Sequence, residues 1–190
     1  MNSVDLVIKG AKLPNGTVSD ICIQEQHVVD VVASFKGEAT QVIDASGCVV
    51  LPGLVDLHTH LREPGREDAE TVLSGSKAGA KGGFTALSAM ANTSPVADTA
   101  GVVEQVYRLG QEAGYLDVFP IGAVTQGLRG EALSEIGAMA DSVARVRVFS
   151  DDGHCVSDPL VMRRALEYIK KFDGVVAQHA QDPRMTVNSQ

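Results

Sequence analysis

Hydrophobic and polar positions change rhythm near residue 52. Before it, apolar residues come in short runs broken by turn residues. "DLVIKGAKLPNG" (5–16) is a strand closing in a Pro-Asn-Gly turn. "DICIQEQHVVDVV" (20–32) alternates over its first half, Ile21 and Ile23 against Cys22 and Gln24. "TQVIDASGCVVLPG" (40–53) is a further β-rich run with turn residues inside it. Residues 1–51 therefore read as a small all-β unit.

After Pro52 the pattern becomes strand, helix, strand, helix. Strands are predicted at 54–60, 84–92, 117–125, 146–152 and 175–180, and helices at roughly 68–81, 98–114, 132–142 and 158–174. Val102, Val103, Val106 and Leu109 keep helical spacing, with Gly114 as a stop. Asp158 is the expected N-cap of the last helix, with Pro159 at its first position and Gly174 at its end. Repeated βα units with near-continuous apolar strands indicate an α/β domain, a parallel sheet with helices packed outside it. This second domain is expected over 52–190.

Composition removes several function classes. The 190 residues carry a net charge of −8 and no basic block, so neither nucleic acid nor an anionic membrane is an expected partner. No apolar run is long enough to span a bilayer, and "MNSVDLVIKG" lacks the pattern of a signal peptide. Cys22, Cys48 and Cys155 stand at wide, patternless spacings, which reads as reduced thiols and a cytoplasmic location.

Candidate chemistry sits at the predicted strand ends. In "GLVDLHTHLREPG" (53–65), His58, His60 and Arg62 share one strand phase at the C-terminal end of the first βα strand, the end that carries the site in parallel α/β folds. Two imidazoles on one face can reach a single ion, and nitrogen ligands with a carboxylate favour zinc. In "VRVFSDDG", Val146 and Val148 share a phase with Asp152, and Arg145 and Arg147 share one with Asp151. Asp152 is therefore the expected inward carboxylate, and Asp151 a supporting or turn residue. Val175, Ala177 and His179 share a phase that turns His179 inward. Arg62 can hold a substrate carboxylate in a forked pair, unless Glu63 or Glu67 engages it first. Asn92 in "AMANTSP" can contact the same carboxylate, or act as a turn residue before Ser94-Pro95. His154 and Cys155 fall in the loop beyond the strand, His154 being expected exposed or at a pocket rim, and His27 receives no role.

These strings resemble the amidohydrolase superfamily, and within it the dihydroorotases of the longer bacterial type. "VDLHTHLREPG", "AMANTSP", "FSDDG" and "AQHA" are similar to that family's first, second, fourth and fifth strand-end signatures, in order, and the leading β unit fits as well. The HxHxREPG string is shared with allantoinases and hydantoinases. In those enzymes the bridging ligand is generally a carboxylated lysine, and "RVRVFSDDG" has no lysine. The resemblance implies part of a (β/α)8 TIM barrel, about five βα strands, preceded by a β-sandwich-like unit. It implies reversible, Zn2+-dependent cyclisation of N-carbamoyl-aspartate to dihydroorotate in pyrimidine biosynthesis, with one or two zinc ions. His58 and His60 would bind one zinc, Asp152 would bridge, His179 would bind a second, and Arg62 and Asn92 would grip the substrate carboxylate. It further implies a histidine ligand and a general-base aspartate from strands beyond residue 190, so the chain is expected to be an N-terminal portion, inactive alone and prone to self-association. Aspartate transcarbamoylase is a possible partner. The alternatives are a non-catalytic relative that serves as that enzyme's structural partner, in which the HxH pair tends to be lost, and an allantoinase or hydantoinase.

Overall fold

A computed structural model describes residues 3–186. The chain divides into two compact units between Pro52 and Gly53.

The first unit is a four-stranded sheet built from β1 (Ser3–Lys12), β2 (Val18–Gln24), β3 (His27–Val32) and β4 (Glu38–Asp44), in the order β3-β2-β1-β4. β1 and β2, and β2 and β3, pair antiparallel; β1 and β4 pair parallel. The run 20–32 is divided between β2 and β3. Glu25 and Gln26, at φ 48° and 67°, form the two-residue turn between them. Neither is Gly, Asn or Asp, so the sequence carries no turn signal there. Gly10, at φ 69°, sits where the β1–β2 register shifts, and its N–H donates to Asp20 Oδ1 at 2.9 Å. The other oxygen of this buried carboxylate accepts from Phe35 N at 2.9 Å. Small apolar clusters gather around Val4, Val7, Cys22 and Phe35, and around Ala11, Ile21 and Ala45. The sandwich-like expectation is not met among the described residues. The unit is one sheet, and Val28, Val31, Val42 and Ile43 stay exposed because nothing within the unit covers them.

The second unit is mixed α/β. β5 (Leu54–Thr59), α1 (Val72–Lys81), β6 (Phe84–Ala89), α2 (Ala100–Ala113), β7 (Asp117–Pro120), α3 (Ile136–Asp141), β8 (Val148–Phe149), α4 (Pro159–Ile169) and β9 (Val175–Val176) follow in order. All strand pairs are parallel, β5-β6-β7 in one sheet and β8-β9 in another. Gly122 bridges them, donating to Val148 O at 3.1 Å and accepting from Ser150 N at 2.9 Å. One core cluster packs Val72 and Leu87 with Val106 and Val118; a larger one gathers Val103, Val124, Ile136, Met139, Phe149 and Ile169.

Local chemistry sets the helix ends. α1 starts at Val72, four residues later than predicted, because Thr71 and Ser74 form a reciprocal capping box. Asp158 caps α4, accepting from Leu160 N at 2.7 Å and Val161 N at 3.1 Å. Gly114 ends α2 at φ 67°. α3 is shorter than predicted because residues 132–134 return on the loop after β7, with Gln126 N to Ala132 O at 2.9 Å and Ser134 N to Val124 O at 3.0 Å. β8 and β9 have two residues each where seven and six were expected.

Candidate metal centre

The site is built where β5, β6, β8 and β9 run out. Thr59 ends β5 tied to its neighbour, its Oγ1 donating to Ser88 O at 2.9 Å and its carbonyl accepting from Met90 N at 2.9 Å. His58 and His60 flank it, with Nε2 atoms 3.3 Å apart and rings edge to face. The strand phase does not extend to Arg62. The backbone has left the strand, and Arg62 lies in the left-handed region at φ 61°.

The loop after β5 is packed on the loop after β6. Ser94 N donates to Pro64 O at 3.0 Å. Gly65, at φ +101°, lies where a Cβ would come within 2.1 Å of Ser94 O. Neither acid expected as a rival partner holds Arg62: Glu63 Oε2 accepts from Val72 N at 2.7 Å, at the start of α1, and Glu67 Oε1 accepts from Gly65 N at 2.8 Å. Among the described residues Arg62 makes no ion pair, and with Asn92 it lines a cavity of about 480 Å³.

Asp151 and Asp152 are both buried and diverge. Asp152 meets the imidazoles. Its Oδ2 lies 3.4 Å from His58 Nε2 and 3.5 Å from His60 Nε2, and its Oδ1 lies 3.4 Å from His179 Nδ1. Asp151 faces the loop after β7, where Oδ1 accepts from Val124 N at 2.8 Å and Thr125 N at 3.0 Å, and Oδ2 accepts from the Thr125 hydroxyl. Asp152 is 12% exposed at its side chain, His60 28%, His179 34% and His58 51%, so the carboxylate forms the floor of an accessible cluster.

Hydrogen bonding assigns the imidazole protons. His60 Nδ1 is 3.0 Å from Asn92 Oδ1, an acceptor, so Nδ1 carries a hydrogen, and in the neutral ring the lone pair is on Nε2. The Asn92 orientation agrees, its Nδ2 lying 3.5 Å from Asp152 Oδ2. His179 Nε2 is 3.0 Å from Gln181 Oε1, which leaves the Nδ1 lone pair facing Asp152. In neutral imidazoles these lone pairs face the carboxylate, an arrangement that a cation between them would stabilise. The donor separations of 3.3, 3.4 and 3.5 Å also suit an ion. Tetrahedral ligands at roughly 2.0–2.1 Å from a metal stand ~3.3 Å from one another. The His58, His60 and Asp152 donors therefore fit a metal ion.

The remaining candidates fall outside this cluster. His154 is exposed and lines a neighbouring cavity with Arg129, Cys155 and His179. His27 lies in β3 of the first unit, its Nδ1 beside Glu25 O. Sequence reasoning missed Gln181, Thr125 and the burial of Asp151. Gln181 follows His179 at a spacing of two, which was a usable signal. The Asp151 contacts join segments 26 and 27 residues apart, which no local pattern reveals.

Comparison with known proteins follows the same lines. The family model described as dihydro-orotase-like matches residues 47–190. The dihydroorotase of Leifsonia xyli subsp. xyli is 62% identical over 190 residues, covering 100% of this chain and 43% of that protein. That of Streptomyces coelicolor is 62% identical over 184 residues, 97% of this chain and 43% of its own. That of Mycobacterium tuberculosis is 58% identical over 188 residues, 98% and 44%. The chain spans less than half the length of these relatives. Among solved structures, an L-hydantoinase (dihydropyrimidinase) from Arthrobacter aurescens superposes with a TM-score of 0.80 at 21% identity, over 97% of this chain and 42% of that one. An adenine deaminase superposes at 0.66 and 18%, over 95% and 52%. At these identities the likeness is one of fold. Among the described residues no helix is long and apolar enough to cross a membrane.

Proposed function

The chain belongs to the dihydroorotase-like family, and on that premise we propose that the protein containing it catalyses the reversible cyclisation of N-carbamoyl-aspartate to dihydroorotate with zinc. The observation that carries this reading is the two-sided engagement of Asp152, one oxygen toward His58 and His60 and the other toward His179. His58, His60 and Asp152 would hold one zinc, and Asp152 with His179 would help to hold a second.

Zinc held there supplies positive charge that polarises an amide carbonyl and acidifies a water. The chain's own residues do the rest. Asn92 keeps His60 in the ligating tautomer, and Gln181 does the same for His179. Arg62, without an ion pair among the described residues, presents its guanidinium to the substrate carboxylate from the cavity that Asn92 also lines. The general base is assigned to residues other than these 190, and the chain alone is inactive on this reading. Parallel strands in chain order with a helix after each of β5 to β8 support a partial (β/α)8 barrel. The intact histidine pair favours an enzyme over a purely structural relative. Exposed Val55 and Leu57 on β5, an edge strand, support self-association. A cytoplasmic location and pairing with aspartate transcarbamoylase complete the proposal.

The test uses the full-length protein with dihydroorotate, hydantoin and allantoin, before and after chelation and with zinc restored. Dihydroorotate alone should be opened, and only with metal; His58→Ala or His60→Ala should lose both metal and turnover. Turnover of hydantoin or allantoin without dihydroorotate would overturn the substrate, and full activity after complete chelation would overturn the metal.

A further inference from the structure

We propose that Asp151 is a positioning residue that sets how tightly the His58–His60–Asp152 cluster holds its ion, an inference that rests on the metal-centre reading above. Asp151 is 1% exposed, and three donors converge on it: Val124 N, Thr125 N and the Thr125 hydroxyl. The last contact has one proton arrangement. Thr125 Oγ1 accepts from Gly130 N at 2.9 Å, so its own hydrogen goes to the carboxylate. Thr125 is fully buried, so no water substitutes for either partner.

This anchoring fixes the peptide that carries Asp152. The Asp151 carbonyl accepts from His154 N at 2.8 Å, Asp152 N donates to Ser150 Oγ at 3.1 Å, and Ser150 N donates to Gly122 O at 2.9 Å. Asp152 is thus gripped through its backbone and through its neighbour's side chain, while its own carboxylate is left to the imidazoles and Asn92 Nδ2. Of the two adjacent acids, one orders the loop and the other faces the cation.

Asp151→Asn keeps the shape but reverses one bond. Its amide group would point hydrogens at a hydroxyl that needs an acceptor. Thr125→Val removes the same bond from the other side, and Thr125→Ser keeps it. The experiment titrates the full-length protein with Co2+, reading the visible absorption of the bound ion for affinity and geometry and circular dichroism for folding. Asp151→Asn and Thr125→Val should bind cobalt about 10–100-fold more weakly with an altered spectrum, the range for partners that orient metal ligands. Thr125→Ser should match the unsubstituted chain. Unchanged affinity and spectrum in a folded Asp151→Asn would overturn the inference alone. If that variant fails to fold, Thr125→Val against Thr125→Ser decides it, and equal affinities overturn it. Unfolding of both Asp151→Asn and Thr125→Val overturns it too, leaving Asp151 a plain stability residue. No cobalt binding by the unsubstituted full-length protein overturns the metal centre and this inference together.

Discussion

His60 Nδ1 lies 3.0 Å from Asn92 Oδ1, so the residue expected to grip substrate also orients a proposed metal ligand. Asn92→Ala should weaken metal binding by about tenfold or more and raise KM as well. Metal titration beside steady-state kinetics separates the two effects. A higher KM with unchanged metal affinity would restrict Asn92 to substrate.

Arg62→Met should leave metal content intact. Loss of a charge-assisted pair costs about 1.5–3 kcal/mol, roughly ten- to a hundredfold in binding. Elemental analysis with KM for dihydroorotate, measured on the full-length protein, checks this. Loss of metal instead would make Arg62 a structural residue.

Gly65 and Gly83 both have positive φ, but only Gly65 is crowded. Gly83→Ala meets open space and should cost about 1 kcal/mol for backbone conformation alone. Gly65→Ala adds a collision with Ser94 O and should cost more than that, with Arg62 and Asn92 displaced together. Thermal melts of the pair provide the comparison, and equal losses would contradict the crowding.

Acid should loosen the first unit. The Phe35 and Gly10 N–H groups hold Asp20 below its ordinary pKa of 3.8, against the opposing effect of burial. A carboxyl depressed in the folded state adds stability that is present above its unfolded pKa and is lost as pH falls through the folded value. The stability advantage over Asp20→Asn should therefore hold at pH 7 and shrink below about pH 4. Melting curves of both proteins between pH 7 and pH 2.5 test it. A constant gap would mean that Asp20 contributes nothing as an anion.

The alternation of β and α elements was legible because the apolar period changes at Pro52, and the family was legible because its motifs stand at strand ends. The Asp158 cap and the Gly114 stop were legible because each is a local event. What could not be read is what depends on distant partners. The turn at Glu25–Gln26 is held by cross-strand pairing rather than by turn-forming residues. Arg62 leaves the strand because its loop packs on Pro64–Ser94 contacts drawn from two segments. The valine phase that separates Asp152 from Asp151 runs through a strand of only two residues, and the burial of Asp151 comes from the loop after β7.

Strands β5, β6 and β8 each find a parallel partner about thirty residues on, as in Leu54 with Phe84, Ala86 with Asp117 and Val148 with Val175. The strip can therefore zip up in the order in which a ribosome delivers it. The imidazoles of His58 and His60, at the end of β5, emerge before the Asp152 carboxylate. Asp152 follows His60 by 92 positions (152 − 60), which at about 5–20 residues per second is roughly 5–20 s of synthesis. During that interval the nascent chain displays a histidine pair without its acid, so an ion that needs all three donors would be captured only after Asp152 has been made.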